Sequence, residues 1–162
     1  MKTKILIYLL LVVLPIASWA QNEKQVINNF LNNWHQAASD VNQQAYFDFI
    51  DDDGIYIGTD STEIWTKQAF YDWAAPYFDK GKTWNFKVNS RNIYLSESKI
   101  FAWFDELVTN GKITLRGSGV LEKKDIGWKI KHYVLSLPVP NEKFIEVRDL
   151  INEMAENTER VE

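Results

Sequence analysis

The chain has 162 residues, no cysteine and a formal charge of −4. These values exclude a disulfide scaffold and argue against a nucleic-acid partner, because a phosphate-binding surface needs an excess of basic side chains. Seven Trp, seven Tyr and nine Phe supply apolar area for one cored domain of this length, and for a lined cavity within it.

In chain order, Lys2 and Lys4 precede an apolar run from Ile5 to Ile16, and the segment closes on Ala17-Ser18-Trp19-Ala20. This is the pattern of a secretory signal peptide with cleavage after Ala20. The run is short for a bilayer span, and no cysteine is present to carry a lipid. The expectation is an exported protein, periplasmic or secreted, with no membrane anchor after cleavage. Residues 21–162 then carry 16 basic against 22 acidic side chains, which strengthens the case against nucleic acid.

Val26, Ile27, Phe30, Leu31, Trp34 and Ala38 recur at helical spacing and predict an amphipathic helix over 22–38. A shorter helix is expected over 42–50, with Ala45, Tyr46, Phe49 and Ile50 inward. Asp51-Asp52-Asp53-Gly54 reads as a solvated turn, since it lacks the alternating ligands and closing glutamate of a calcium loop. Ile55 to Gly58 is a short strand, and Thr59 to Thr62 a polar loop leading to Trp65. Thr66 is the expected N-cap of a helix through Phe70, Trp73 and Ala74 that Pro76 bends or ends.

Four segments rich in β-formers follow: 83–95, 100–109, 112–123 and 128–137. Short connections between them predict consecutive antiparallel hairpins. Asn110-Gly111 reads as a two-residue type I′ turn, which sets Thr109 opposite Lys112, Asp105 opposite Arg116 and Trp103 opposite Ser118. Pro138 and Pro140 stop the last strand. Beyond them Phe144, Val147, Leu150, Ile151 and Met154 predict an amphipathic helix that docks on the domain or on a second subunit. The domain organisation is therefore a leader at 1–20, one domain at 21–142, and a C-terminal helix and tail at 143–162. The element order indicates an α+β fold with helices on one face of a curved sheet.

Trp34-His35-Gln36-Ala37-Ala38, Gly58-Thr59-Asp60, Trp103-Phe104-Asp105-Glu106, Arg116 to Leu121 (RGSGVL) and His132 to Pro138 (HYVLSLP), closed by Asn141, carry a resemblance. The chain resembles the SnoaL-like branch of the nuclear transport factor 2-like superfamily over about residues 22–142. The resemblance implies a cone-shaped, cystatin-like α+β fold, in which a curved antiparallel sheet wraps around the N-terminal helices and leaves a cavity at its open end. It also implies members as different as polyketide cyclases, ketosteroid isomerase and dehydratases, and pairing through the outer sheet face. It carries over no catalytic residue.

The candidate site is the shared face of the predicted hairpin. Asp105 and Arg116 read first as a cross-strand ion pair, in which the guanidinium lowers the acid's pKa and makes it a weak base. Facing a cavity, Arg116 would instead grip an anion through its fork of donors. His132, on the expected face of Ile130, Val134 and Ser136, is the better proton carrier. Trp103, Ser118, His35 and Tyr56 complete the candidate ligand-binding set. No local spacing unites the two histidines with a carboxylate, so no metal and no cofactor is expected, and no elbow motif marks a nucleophile. Three functions stay open: binding of a small, partly apolar and anionic molecule; a cofactor-free isomerase, cyclase or dehydratase using His132 or Asp105; and a homodimeric interaction module.

Overall fold

The computed structural model describes residues 22–159; the expected leader lies outside them. Helix α1 spans 22–39, followed by α2 (Gln43–Asp48), β1 (Ile50–Ile57), β2 (Ile64–Thr66) and α3 (Lys67–Asp79). Strands β3 (Lys87–Leu95), β4 (Phe101–Thr109), β5 (Thr114–Lys124) and β6 (Gly127–Ser136) come next, and a 3-10 turn at Asn141–Lys143 leads to α4 (Phe144–Glu159). The strands form one curved, unclosed sheet in the order β2-β1-β6-β5-β4-β3. Its neighbours are antiparallel except β1 and β6, which run parallel. The α+β cone is present, and its sheet is mixed rather than wholly antiparallel.

Ile27, Leu31, Trp34 and Ala38 return to one side of α1 every three or four residues, and all four are buried. They lie in the concave face of the sheet, with Trp34 edge-on to Tyr133 at 4.8 Å. At the N-terminal end of α1, Glu23 accepts from Lys123 Nζ at 2.7 Å and from Trp128 Nε1 at 2.9 Å, which ties the helix to β5 and β6. Asn42 caps α2 by accepting from Ala45 N at 3.0 Å, and Tyr46 and Phe47 face the core. Each fully buried large side chain of this kind contributes about 1.5–3 kcal/mol of transfer free energy.

Three local expectations are corrected. Asp51 to Gly54 belongs to β1 rather than to a turn. Its acids are matched there by lysines, Asp51 with Lys124 at 3.1 Å, Asp52 with Lys67 at 2.9 Å, and Asp53 with Lys131, while the register against β6 shifts between Ile50 and Ile55. Residues 64–66, expected only to lead from the polar loop at 59–62 into the Thr66 cap, form β2 along β1. Thr66 does cap α3, accepting from Ala69 N at 3.3 Å, but the helix passes through Pro76 to Asp79. The proline sits near the end of the helix, where buried Ala74 and Phe78 hold the backbone.

On β5, Gly117 and Gly119 occupy inward positions. A Cβ at Gly117 would lie 2.1 Å from the Tyr133 hydroxyl oxygen, and one at Gly119 2.6 Å from the His132 carbonyl. Both are close approaches, as mid-strand glycines suggest. The C-terminal helix α4 leaves Phe144, Ile145, Leu150 and Ile151 more than half exposed.

Candidate functional site

A cavity of about 160 Å³ lies between β1, β2, α3 and the irregular segment before β3, lined by Tyr56, Trp65, Phe70, Trp73, Trp84, Phe86 and Leu135 with Gly58, Thr59 and Glu63. Alternation along β1 turns Tyr56 inward, while β2 and α3 supply Trp65, Phe70 and Trp73 from the other side. Phe70 stacks on Tyr56 at 4.0 Å and on Trp65 at 5.4 Å, and Trp65 lies 4.8 Å from Trp73. Burial, and then the negative charges of Glu63 and Glu106, push the Tyr56 hydroxyl well above its ordinary pKa. The phenol is therefore a neutral donor facing an apolar space.

Beside this cavity lies a buried polar network centred on Glu106, whose side chain is fully enclosed. His35 Nε2 lies 2.9 Å from Oε1, and the Tyr133 hydroxyl donates to the same oxygen at 3.0 Å. Arg91 Nε donates to Oε2 at 2.8 Å. Arg91 Nη2 lies 2.7 Å from Oε2 as an ion pair, off the angle of a hydrogen bond. Arg91 Nη1 donates to Asn28 and Asn32 on α1. Burial alone would raise the Glu106 pKa; the His35 hydrogen bond and the His35 and Arg91 charges outweigh it and hold the carboxyl below its ordinary value. An ionised Glu106 accepts only, so His35 donates to it from Nε2. Burying a charge this deeply is tolerable only with every such partner in place. Among the described residues no group of three His, Asp or Glu side chains is placed to hold a metal ion.

The SnoaL-like domain family matches residues 27–140. The chain belongs to this family. Solved structures similar to this SnoaL-like domain include a nuclear transport factor 2-like protein of unknown function from Pseudomonas putida, at 16% identity and a TM-score of 0.63 over 76% of this chain and 92% of that one. A domain of unknown function with a cystatin-like fold from Nostoc punctiforme is 14% identical, with a TM-score of 0.63 over 86% and 92%. A nuclear transport factor 2-like protein from Cytophaga hutchinsonii is 15% identical, with a TM-score of 0.59 over 71% and 98%. Likeness at such identity concerns the fold alone. No curated protein matches the sequence.

Within the SnoaL-like domain the predicted hairpin face exists but lies outside. Trp103, Asp105, Arg116 and Ser118 share one face of β4 and β5, and Trp103 is 48% exposed. Their register differs from the expected one, with Asp105 opposite Ser118, Arg116 opposite Leu107, and Trp103 opposite Val120. The reason is the turn. Thr109 pairs with Thr114, leaving a four-residue loop in which Asn110 Oδ1 accepts from Lys112 N and Ile113 N. A shift of two preserves the face and changes every partner. Asp105 receives Asn92 Nδ2 at 3.0 Å and the Tyr94 hydroxyl at 3.4 Å instead of a guanidinium.

His132 also leaves the expected face. A bulge between the Leu121–Ile130 and Val120–His132 pairs changes the phase of β6, so Ile130 and Tyr133 both turn inward and His132 turns outward. Of the predicted residues, Tyr56 lines the cavity and His35 joins the buried network. The sequence analysis missed Glu106, Arg91, Tyr133 and Glu63. One signal was available for the first: Glu106 stands in the two-residue frame of Ala102, Phe104 and Val108, where a charge requires buried partners.

Proposed function

We propose that this SnoaL-like domain binds one small, largely apolar molecule in the aromatic cavity. The observation that carries this is the lining itself, six aromatic side chains around about 160 Å³. That is close to the roughly 150 Å³ engineered cavity that accepts benzene. The anionic ligand expected from Arg116 has no support at this site, because Arg116 lies on the outer face and Glu63 is the charged residue of the lining. A thermal-shift and tryptophan-fluorescence screen of small aromatic and alicyclic compounds tests the reading. Binders should raise the melting temperature and lose affinity on Trp73→Ala while tolerating Arg116→Ala. A broad panel with no binder, or binders insensitive to the Trp73 change, would reject it.

Catalysis by His132 or Asp105 finds no support, since neither lines the cavity. A homodimer is the second reading, favoured by the exposed aromatic outer face of Tyr94, Phe101 and Trp103 together with the uncovered apolar residues of α4. Light scattering with and without residues 142–162 distinguishes self-association from a monomer. Export is a proposal resting on the leader pattern at 1–20, and N-terminal sequencing of the secreted protein tests it.

A further inference from the structure

The cavity lining combines features that together specify a charge. We propose that the ligand carries an alkylated ammonium group, held between the aromatic walls and the Glu63 carboxylate. This rests on the cavity being a binding site, and it names the chemical class that the site would take.

The charge balance of the lining comes first. Of its ten residues Glu63 is the only ionised one, and no Lys, Arg or His joins it. Among the described residues Glu63 takes part in no ion pair, in contrast to Glu23, Asp51, Asp52, Asp53, Glu106 and Glu122, each of which has a basic partner. A carboxylate beside an apolar cavity and without a cation is the group that a ligand cation would satisfy.

The position of Glu63 is built by its loop. Thr62 donates from both its backbone N and its hydroxyl to Asp60 Oδ1, at 2.9 and 2.6 Å. Asp60 N then donates to Glu63 Oε2 at 3.2 Å, while Glu63 O accepts from Gly58 N at 2.9 Å. The carboxylate lies directly over Gly58, where a Cβ would come 2.1 Å from Oε2. A side chain at Gly58 would displace the acid from this position. One oxygen is thereby anchored, and the other has no hydrogen-bond partner among the described residues.

The aromatic walls select the same charge. Ring faces are negative, so Tyr56, Trp65, Trp73 and Trp84 favour a cation over an anion. Alkyl groups on the nitrogen satisfy the apolar surface, which a bare ammonium would leave dry and unpaired. A cavity of about 160 Å³ admits a group of that class and excludes a large polycycle.

The experiment is calorimetric titration of the purified protein with tetramethylammonium, with choline, and with the uncharged isostere of choline in which carbon replaces nitrogen. Choline should bind at least about tenfold more tightly than the isostere. Glu63→Gln should remove that preference and keep the binding of the isostere, with near-UV circular dichroism confirming an unaltered fold. Trp73→Leu should weaken both. Equal affinity for choline and the isostere, or a preference that survives Glu63→Gln, overturns the cation and leaves the apolar cavity standing. Neutral aromatic probes that bind while neither choline nor the isostere does have the same consequence. Failure of every probe, neutral and charged, overturns both readings.

Discussion

His35 on α1 and Glu106 on β4, seventy-one positions apart in the chain, meet at 2.9 Å in the interior, and the same carboxylate oxygen receives the Tyr133 hydroxyl at 3.0 Å. With Arg91 on the second oxygen, this one side chain joins the first helix to β3, β4 and β6.

Glu106→Gln keeps the volume of the side chain and removes its charge. Arg91, whose side chain is 2% exposed, would be left buried without an anion. Removal of one partner from such a pair destabilises by about 3–5 kcal/mol. Urea unfolding should show that loss, and Glu106→Gln combined with Arg91→Met should recover part of it because the orphaned charge is gone.

The same network predicts an acid limb. The folded-state pKa of Glu106 is held below the ordinary glutamate value of 4.5, so the contribution is fully present above that value. It is lost as the pH falls through the lowered folded-state value, where the unfolded chain binds the proton first. Stability measured at successive pH values below about 4.5 should fall more steeply for the wild type than for Glu106→Gln. Parallel slopes would contradict an ionised Glu106 in the folded core.

Gly117→Ala places a methyl group 2.1 Å from the Tyr133 hydroxyl oxygen and 3.0 Å from Glu106 Cγ. Tyr133 is enclosed and bonded to Glu106, so it has no free space to swing into. The expected cost is about 1–3 kcal/mol, as in other overpacked cores. Thermal unfolding checks it, and a variant as stable as the parent would show that the Tyr133 ring can be displaced cheaply.

Asp105→Ala, Arg116→Ala and His132→Ala alter the outer face of the sheet. None removes a group from the cavity or the Glu106 network. Each should change unfolding free energy by no more than about 0.5 kcal/mol in the monomer, with ligand affinity unchanged. A large effect on self-association from the same variants would instead mark this face as the contact between two copies.

Strong periodic signals made the helices and the strands β3 to β6 legible in the sequence, since a buried face must repeat with the period of its element. Thr66 as a cap followed from the same local chemistry. The acidic run at Asp51 to Asp53 was not legible as strand, because the lysines that neutralise it come from α3, β5 and β6. Within the site, Tyr56 and His35 were found from one-dimensional pattern, whereas Glu63 looked like any loop acid until Gly58, Asp60 and the aromatic walls surrounded it.

The sequence by itself determined which residues share a face of β4 and of β5, and the hairpin at Asn110 shows the limit of that information. Trp103, Asp105, Arg116 and Ser118 lie together, as alternation requires. Only the tertiary structure decided that this face looks outward, because helix α1 packs on the face of Phe104, Glu106 and Val108 and thereby defines the inside. It also decided the partners, since a loop longer by two residues slides one strand along the other without turning it over. A single bulge then sent His132 out and Tyr133 in. Periodicity is a property of one segment; the side that becomes the interior depends on what another segment covers.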